Sequence, residues 1–458
     1  MTVRDEGDPH RSYSGASPAQ VEDALRPLVQ FRKRGIPLDE IASLVEERLL
    51  PHLMRYDRST FQSMFNAVPE AGAALGAKIA LEWNQGVTNW QVSPGGAVLE
   101  ELCLEALVQL FGFAPGAGAT FMYAGSYANE QGLYMALHRH AERSGFDFAK
   151  KGIAGFAEPE RLAVVVSADT HFSLRHAVRT LGLGEACLVV APLDEHRRTD
   201  PARLAALLRA AAGARDVFCI VGTAGSTSTG AVDAMDALAD VVAEHGAWLH
   251  VDGAYGLAYK LVPERSAIFA GIDRADSVSW DPHKQFGVPI PSSVLFVRRE
   301  ADFARMAVFG TYFNRNDRDE PNPGLKSVPS TRPLSALPLV TSLLYQGLEG
   351  VVERLRAPLV AVETVAAYLN EQTDVELCHS PALGVACFRF IRDDMSPTEL
   401  DDWNRSIFRA TNQRGERTIA ITELDGRPAL RLVAVSPVVT GEALIETVEA
   451  LRLVAARG

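Results

Sequence analysis

Between Ala97 and Val297 the chain repeats one pattern: short β-branched runs, apolar at almost every position, separated by longer amphipathic stretches. LAVVVSA, VFCIVGT, AWLHVD, DSVSW and SSVLFVRR read as strands, and AVLEELCLEALVQLFG and VDAMDALADVVAEHG read as helices between or before them. A strand apolar on both sides has to be covered on both faces, and strands that alternate with helices pair mostly in parallel. The expected core is therefore an α/β sheet, mainly parallel and flanked by helices. Ligands of such sheets bind beyond the carboxyl ends of the strands, so the polar residues that follow each run are the ones to question.

The remainder of the 458 residues is organised around that core. From about Ser17 to Glu82 apolar residues recur at helical spacing, as in VEDALRPLVQF and DEIASLVEERLLPHLM, and a Gly-, Asn- and Pro-containing loop follows from Asn84 to Gly96. A polar, Pro- and Asn-rich loop runs from Ala307 to Ser330, a length more often functional than decorative. A long helix is expected over about Leu334 to Arg356, then a mixed segment with strands such as ALRLVAV and a final helix. These boundaries predict a helical N-terminal segment over 1–95, a large domain over 96–345 and a small α+β C-terminal domain over 346–458.

Composition narrows the function classes. An apolar fraction of 47% and a charged fraction of 22% are ordinary for a soluble globular chain. No apolar run is long enough to span a membrane, and the polar opening MTVRDEGDPHRSYSG lacks a signal peptide's apolar centre, reading instead as a disordered or loosely docked tail. A net charge of −12 argues against nucleic-acid binding. Five cysteines without metal-like spacing fit reduced, buried thiols. The expectation is small-molecule chemistry in the cytoplasm.

Two strand ends carry residues that are costly there. Lys284 follows DSVSW in the sequence DPHK, and Asp252 ends WLHVD. An isolated lysine at a strand end usually snorkels to solvent, and an isolated acid there caps the next helix in about one case in three. Together they match what pyridoxal 5'-phosphate requires: an amine to form a Schiff base and a carboxylate to keep the pyridine nitrogen protonated. Ala254 is small enough to let a ring lie close to the backbone. His171, in SADTHFSLRHA, follows a strand and opens a helix, where an imidazole can stack on a ring and deliver a proton; His176, a turn later, reads as a solvated helix residue. AGSYANEQG offers small residues and a helix N-terminus to a phosphate, and Ser226 and Thr227 in TAGSTSTG offer hydroxyls to a cofactor or simply form the turn. Walker, GxGxxG, HExxH and GxSxG motifs are absent.

HVDGAYG, SVSWDPHKQFGVPIPSS and the THFS histidine together resemble the group II pyridoxal-phosphate-dependent amino-acid decarboxylases, which include the glutamate, cysteine-sulfinate and aromatic amino-acid enzymes. The resemblance runs from about Asn89 to near the C-terminus. TNWQVSPGGAVLEE resembles the substrate-side loop, with Asn89 as a substrate-binding residue; AGSYAN resembles the phosphate turn; STRPLSAL and RPALRLVAVSP resemble two arginine-bearing segments. It implies fold type I, with a seven-stranded sheet, and an obligate homodimer whose active sites lie at the interface and whose N-terminal helices pack across it. It also implies Lys284 as the Schiff-base residue, Asp252 as the pyridinium partner and His171 on the ring. His283 and Asp281 would lie by the cofactor, Ser126 and Tyr127 at the phosphate, and Arg431 at a substrate carboxylate.

The chain departs from the family in three places. Asp281 stands where asparagine is usual before Pro-His-Lys, and Gly253 stands where alanine is usual after Asp252. Many members carry a proton-donating tyrosine in the loop, where this chain aligns Asn322 or Pro323, with Tyr312 the nearest tyrosine. The expected reaction is loss of the α-carboxylate of an L-amino acid, with an acidic substrate favoured by Arg431 and the PHKQFGVP pattern. The alternatives are a decarboxylation-dependent transamination or oxidation that yields a carbonyl product, another Cα-bond cleavage, and a catalytically silent scaffold.

Overall fold

The computed structural model describes residues 11–311 and 320–456. The chain divides into two compact units, Val68–Arg356 and a smaller one made of Met1–Ala67 with Ala357–Gly458. In chain order, short helices Pro18–Leu25 and Leu38–Arg48 precede a two-residue strand, Phe61–Gln62 (β1). The polar tail expected over the first fifteen residues lies outside the described residues up to residue 10. From Arg11 on it is docked: the Ser12 N–H donates to the Gly415 carbonyl at 2.8 Å, its carbonyl accepts from Arg55 N at 2.8 Å, and Ser12 is fully buried.

The larger unit holds the expected α/β sheet. Its strands are Gly118–Met122 (β2), Leu162–Ser167 (β3), Leu188–Ala191 (β4), Asp216–Thr223 (β5), Trp248–Asp252 (β6), Ser277–Trp280 (β7) and Ser293–Val297 (β8). They lie in the order β2-β8-β7-β6-β5-β3-β4. β3 to β7 pair in parallel, and β8 is antiparallel to both of its neighbours, β7 and β2. A seven-stranded, mainly parallel sheet is what was expected of fold type I. β4 had no counterpart among the apolar runs read above, because it is a four-residue edge strand with Leu188 and Val189 half-buried and Val190 exposed.

Helices Pro94–Leu110, Gly125–Arg143, Pro201–Ala211 and Met235–His245 pack against strands of this sheet. Gly125–Arg143 is buried along most of its length and lies against the sheet. It approaches β6 so closely that a Cβ at Gly132 would stand 2.5 Å from His250 Nδ1. That contact explains a glycine inside a helix, where it costs about 1 kcal/mol relative to alanine.

The long C-terminal helix extends beyond its expected end at Arg356, covering Ala336–Asn370 with a break at Gly347 (φ 61°). Pro358 lies inside the helix, although proline removes an intrahelical bond. In the smaller unit β1 pairs in parallel with Thr418–Leu424 (β11), next to Arg427–Val433 (β12), Val385–Phe390 (β10) and Val375–Leu377 (β9). β11 and β12 are joined by Asp425-Gly426, both at positive φ, as a tight hairpin turn requires. Phe388, Phe390, Leu430, Leu444 and Val448 fill that unit's core against helices Pro397–Gln413 and Gly441–Ala455. No helix among the described residues is long and apolar enough to cross a membrane.

Candidate active site

The carboxyl ends of β6 and β7, neighbours in the sheet, carry the residues singled out from the sequence. Asp252 closes β6 and is 8% exposed. Its carboxylate accepts from Asn129 Nδ2 at 2.8 Å, Ala254 N at 3.2 Å and Ser279 Oγ at 3.3 Å. Ala254 is buried, and its carbonyl accepts the Asp281 N–H at 3.1 Å, tying the exit of β6 to the exit of β7. From β7 the chain turns through Asp281, Pro282, His283 and Lys284, with the Lys284 N–H donating to the Asp281 carbonyl at 3.1 Å. The turn brings Lys284 Nζ within 3.1 Å of Asp281 Oδ2 and His283 Nε2 within 3.8 Å of the same oxygen. His283 Nδ1 bonds the Ser292 carbonyl, which fixes the ring.

The helix Gly125–Arg143 begins beside this turn with no side chain capping its N-terminus. A Cβ at Gly125 would lie 2.8 Å from Asp281 Oδ2 and 3.1 Å from the Ala254 Cβ, so glycine is what allows the approach. Ser126 and the exposed Tyr127 occupy the first turn. His171 follows β3, and its Nδ1 lies 2.9 Å from Ser173 Oγ and 3.3 Å from the Ser173 N–H. Burial pushes the His171 imidazole below its ordinary pKa; the charge of Asp252 opposes the shift and that of Lys284 reinforces it. A neutral ring that accepts at Nδ1 carries its proton on Nε2.

Other expected residues are engaged locally. Ser226, in the turn after β5, has its hydroxyl 2.9 Å from Thr229 Oγ1, and Thr227 is half-buried in the same turn. Asn89 lies in the loop before Pro94–Leu110, where its Oδ1 accepts the Val92 N–H at 3.2 Å. Arg431 belongs to β12 of the smaller unit; it is 5% exposed, donates to the Ser63 carbonyl at 3.0 Å and lies over the Phe65 ring. Tyr312 lies outside the described residues. Asn322 and Pro323 are held against the Asn89 loop: Trp90 N donates to the Pro321 carbonyl at 2.9 Å and Gly324 N to the Thr88 carbonyl at 2.8 Å. Arg332 anchors this stretch, donating to the Pro323 carbonyl at 2.7 Å and pairing with the buried Glu100.

These residues fit pyridoxal phosphate. The uncapped helix N-terminus and Gly125 form a cradle suited to a phosphate, an amine lies next to it, and a carboxylate with three donors arranged around it faces the same region from β6. The residues that sequence reading left unassigned are Asn129, His250 and Ser277. His250 Nε2 lies 3.0 Å from Asn129 Oδ1, and His250 Nδ1 lies 2.8 Å from Ser277 Oγ, all three being buried. The signal available for them was a histidine and serines inside strands covered on both faces, which are stable there only when bonded.

Comparison with known proteins agrees with the geometry. Residues 23–391 match the pyridoxal-dependent decarboxylase conserved domain. The chain is 31% identical over 388 residues to an L-2,4-diaminobutyrate decarboxylase of Rhizobium meliloti (strain 1021), covering 84% of this chain and 75% of that protein. It is 27% identical to an aromatic-L-amino-acid decarboxylase of Bacillus atrophaeus, covering 82% and 77% of the two. The fold superposes on Oryza sativa TDC, solved with PLP and tryptamine, with a TM-score of 0.88 at 24% identity, covering 98% of this chain and 93% of that one. With a lysine, an acid and an uncapped helix N-terminus gathered at one end of the sheet and a family match over most of its length, the chain belongs to the pyridoxal-dependent decarboxylases and is an amino-acid carboxy-lyase whose cofactor is pyridoxal phosphate.

Proposed function

We propose that the enzyme removes the α-carboxylate of an acidic L-amino acid, such as glutamate, aspartate or a sulfinate, with Lys284, Asp252 and His171 as its catalytic residues. The observation that carries this reading is the placement of Lys284 and Asp252 at the carboxyl ends of adjacent strands, beside the Gly125 helix N-terminus. Bound pyridoxal phosphate supplies an aldehyde that condenses with amines and a protonated ring that draws electrons from the bond broken at Cα. Lys284 would hold the aldehyde carbon and give it up to the substrate amine. Asp252 would hold the proton on the ring nitrogen, with its own orientation fixed by Asn129, Ala254 and Ser279. The backbone of Gly125, Ser126 and Tyr127 would bind the phosphate, joined by His283. His171, neutral and protonated on Nε2, is the group suited to stack on the ring and return a proton to Cα.

The PHKQFGVP segment supports the acidic class. The relatives named for 2,4-diaminobutyrate and for aromatic amino acids supply the competing classes. Asn322 or Pro323 in place of a proton-donating tyrosine supports a second reading, in which the product is a carbonyl compound rather than an amine. A homodimer in the cytoplasm completes the proposal. It is supported by apolar residues left in solvent near the N-terminus, such as Phe31 at 94% and Trp83 at 71% exposure, and by helices Pro18–Leu25 and Leu38–Arg48, which bury none of their residues.

The experiment is incubation of the cofactor-loaded enzyme with acidic, diamino and aromatic L-amino acids, measuring CO₂, amine and carbonyl together. CO₂ with stoichiometric amine from an acidic substrate is the expected result. Turnover confined to 2,4-diaminobutyrate or aromatic substrates overturns the substrate class, and full turnover by Lys284→Ala overturns the site.

A further inference from the structure

The bonds around Asn129 form a chain whose direction is fixed at both ends. The Trp248 indole Nε1 can only donate, and it lies 2.8 Å from Ser277 Oγ. At the other end the Asp252 carboxylate accepts, as it does from Ala254 N and Ser279 Oγ, so the Asn129 atom 2.8 Å from it is the amide nitrogen. Everything between follows. Asn129 Oδ1 then faces His250 Nε2 at 3.0 Å, which puts the histidine proton on Nε2. His250 Nδ1 is left as an acceptor and takes the Ser277 hydroxyl proton at 2.8 Å. Each donor from Trp248 onward points toward Asp252.

The second N–H of the same amide donates to Ser173 Oγ at 2.9 Å. With that oxygen accepting, the Ser173 hydroxyl proton is directed at His171 Nδ1, 2.9 Å away. One amide thus branches to both side chains of the site that carry ring chemistry. Trp248, His250, Ser277, Asn129 and Ser173 are each at most 1% exposed, so water does not offer substitute partners. An amide is nearly symmetric in shape, and packing alone does not decide which way round it sits. A network serving only the core would have no reason to end on Asp252 and His171.

We propose that Asn129 is a positioning residue that orients both Asp252 and His171, and that His250, held by Ser277 and Trp248, locks the Asn129 amide in its working orientation. With the lock removed the amide can rotate and present its carbonyl oxygen to the Asp252 carboxylate. This rests on the reading of Asp252 as the partner of the cofactor's ring nitrogen.

The test titrates cofactor-free protein with pyridoxal phosphate and with its analogue in which carbon replaces the ring nitrogen, following absorbance and fluorescence. Asn129→Leu and His250→Leu are expected to weaken pyridoxal phosphate binding by about ten- to a hundredfold (roughly one to two factors of ten) while barely changing affinity for the analogue. His250→Gln, which keeps a donor toward Asn129, is expected to retain most of the affinity. Asp252→Asn is the reference and should discriminate between the two ligands in the same way. If it does not, the reading of Asp252 falls and the proposal with it. If it does, and the Asn129 and His250 variants lose affinity equally for both ligands or not at all, only the proposal is overturned. Should Asn129→Leu fail to fold, Ser277→Ala, which deletes one oxygen, makes the same measurement with the same expected discrimination. Ser173→Ala severs the His171 branch alone; it should leave the ratio of the two affinities as in the unmodified protein and shift the pH profile of turnover, and an unchanged profile overturns that branch.

Discussion

Asp281 Oδ2 lies 3.1 Å from Lys284 Nζ, while Oδ1 of the same carboxylate is buried with no hydrogen-bond partner among the described residues. The acid therefore sets a negative charge against the amine proposed to hold the cofactor. It also sets a negative charge beside Gly125, where the phosphate is proposed to bind. Asp281→Asn keeps the shape and relieves both effects. It is expected to tighten pyridoxal phosphate binding by about tenfold, roughly 1.4 kcal/mol, measured by titration of cofactor-free protein. Unchanged or weaker binding would place the phosphate elsewhere.

Burial holds the His250 imidazole at about 4, well below its ordinary value, with Asp252 opposing the shift. The unfolded chain takes up a proton near pH 6.5, whereas the folded protein does so only near 4. Between those values the unfolded state binds more protons, so stability falls as the pH drops, by up to about 1.4 kcal/mol per pH unit. Below about pH 4 this contribution is already lost. Urea melts of the protein and of His250→Gln at pH 7 and pH 4.5 isolate the effect: the variant should lose less on acidification.

Arg332 and Glu100 form a pair with side chains 4% and 1% exposed, and Arg332 also donates to the Phe121 carbonyl at 3.1 Å. Arg332→Met would leave a buried carboxylate alone and is expected to cost about 3–5 kcal/mol. Glu100→Leu combined with Arg332→Met should recover part of that loss: neither charge then remains buried, while the Phe121 and Pro323 carbonyls still lack the Arg332 donor. Thermal and denaturant melts of the single and double variants check both statements.

Gly132→Ala inserts a methyl group 2.5 Å from His250 Nδ1. Alanine's better helix propensity would favour the change on an open surface. Here the overpacking dominates, and a loss of about 1–3 kcal/mol is expected. Because the helix is pressed against His250, cofactor affinity should weaken alongside stability in the same titration.

The strands were legible wherever both of their faces are buried, as in Leu162–Ser167 and Trp248–Asp252, since coverage on both sides leaves a continuous apolar run. Leu188–Ala191, half-covered at the sheet edge, left no such trace. Lys284 and Asp252 stood out because charge at the end of an apolar strand is costly. Asn129 lay within the segment read as a phosphate turn and His250 within the run read as a strand, yet neither was assigned. Their roles depend on partners 121 residues apart, and spacing along the chain carries no record of that pairing. The helix Ala336–Asn370 runs past its expected end at Arg356, with Pro358 inside it.

The pairing of Phe61–Gln62 with Thr418–Ile419 bears on how the protein is made. Strand β1 leaves the ribosome more than 350 residues before the strand it joins (418 − 62 = 356). At about 5–20 residues per second, that separation means a wait of very roughly twenty to seventy seconds. The α/β sheet, whose strands all lie between Gly118 and Val297, can assemble during that interval. The sheet of the smaller unit cannot be completed until Thr418–Leu424 has been made, so until then Phe61–Gln62 is without its strand partner.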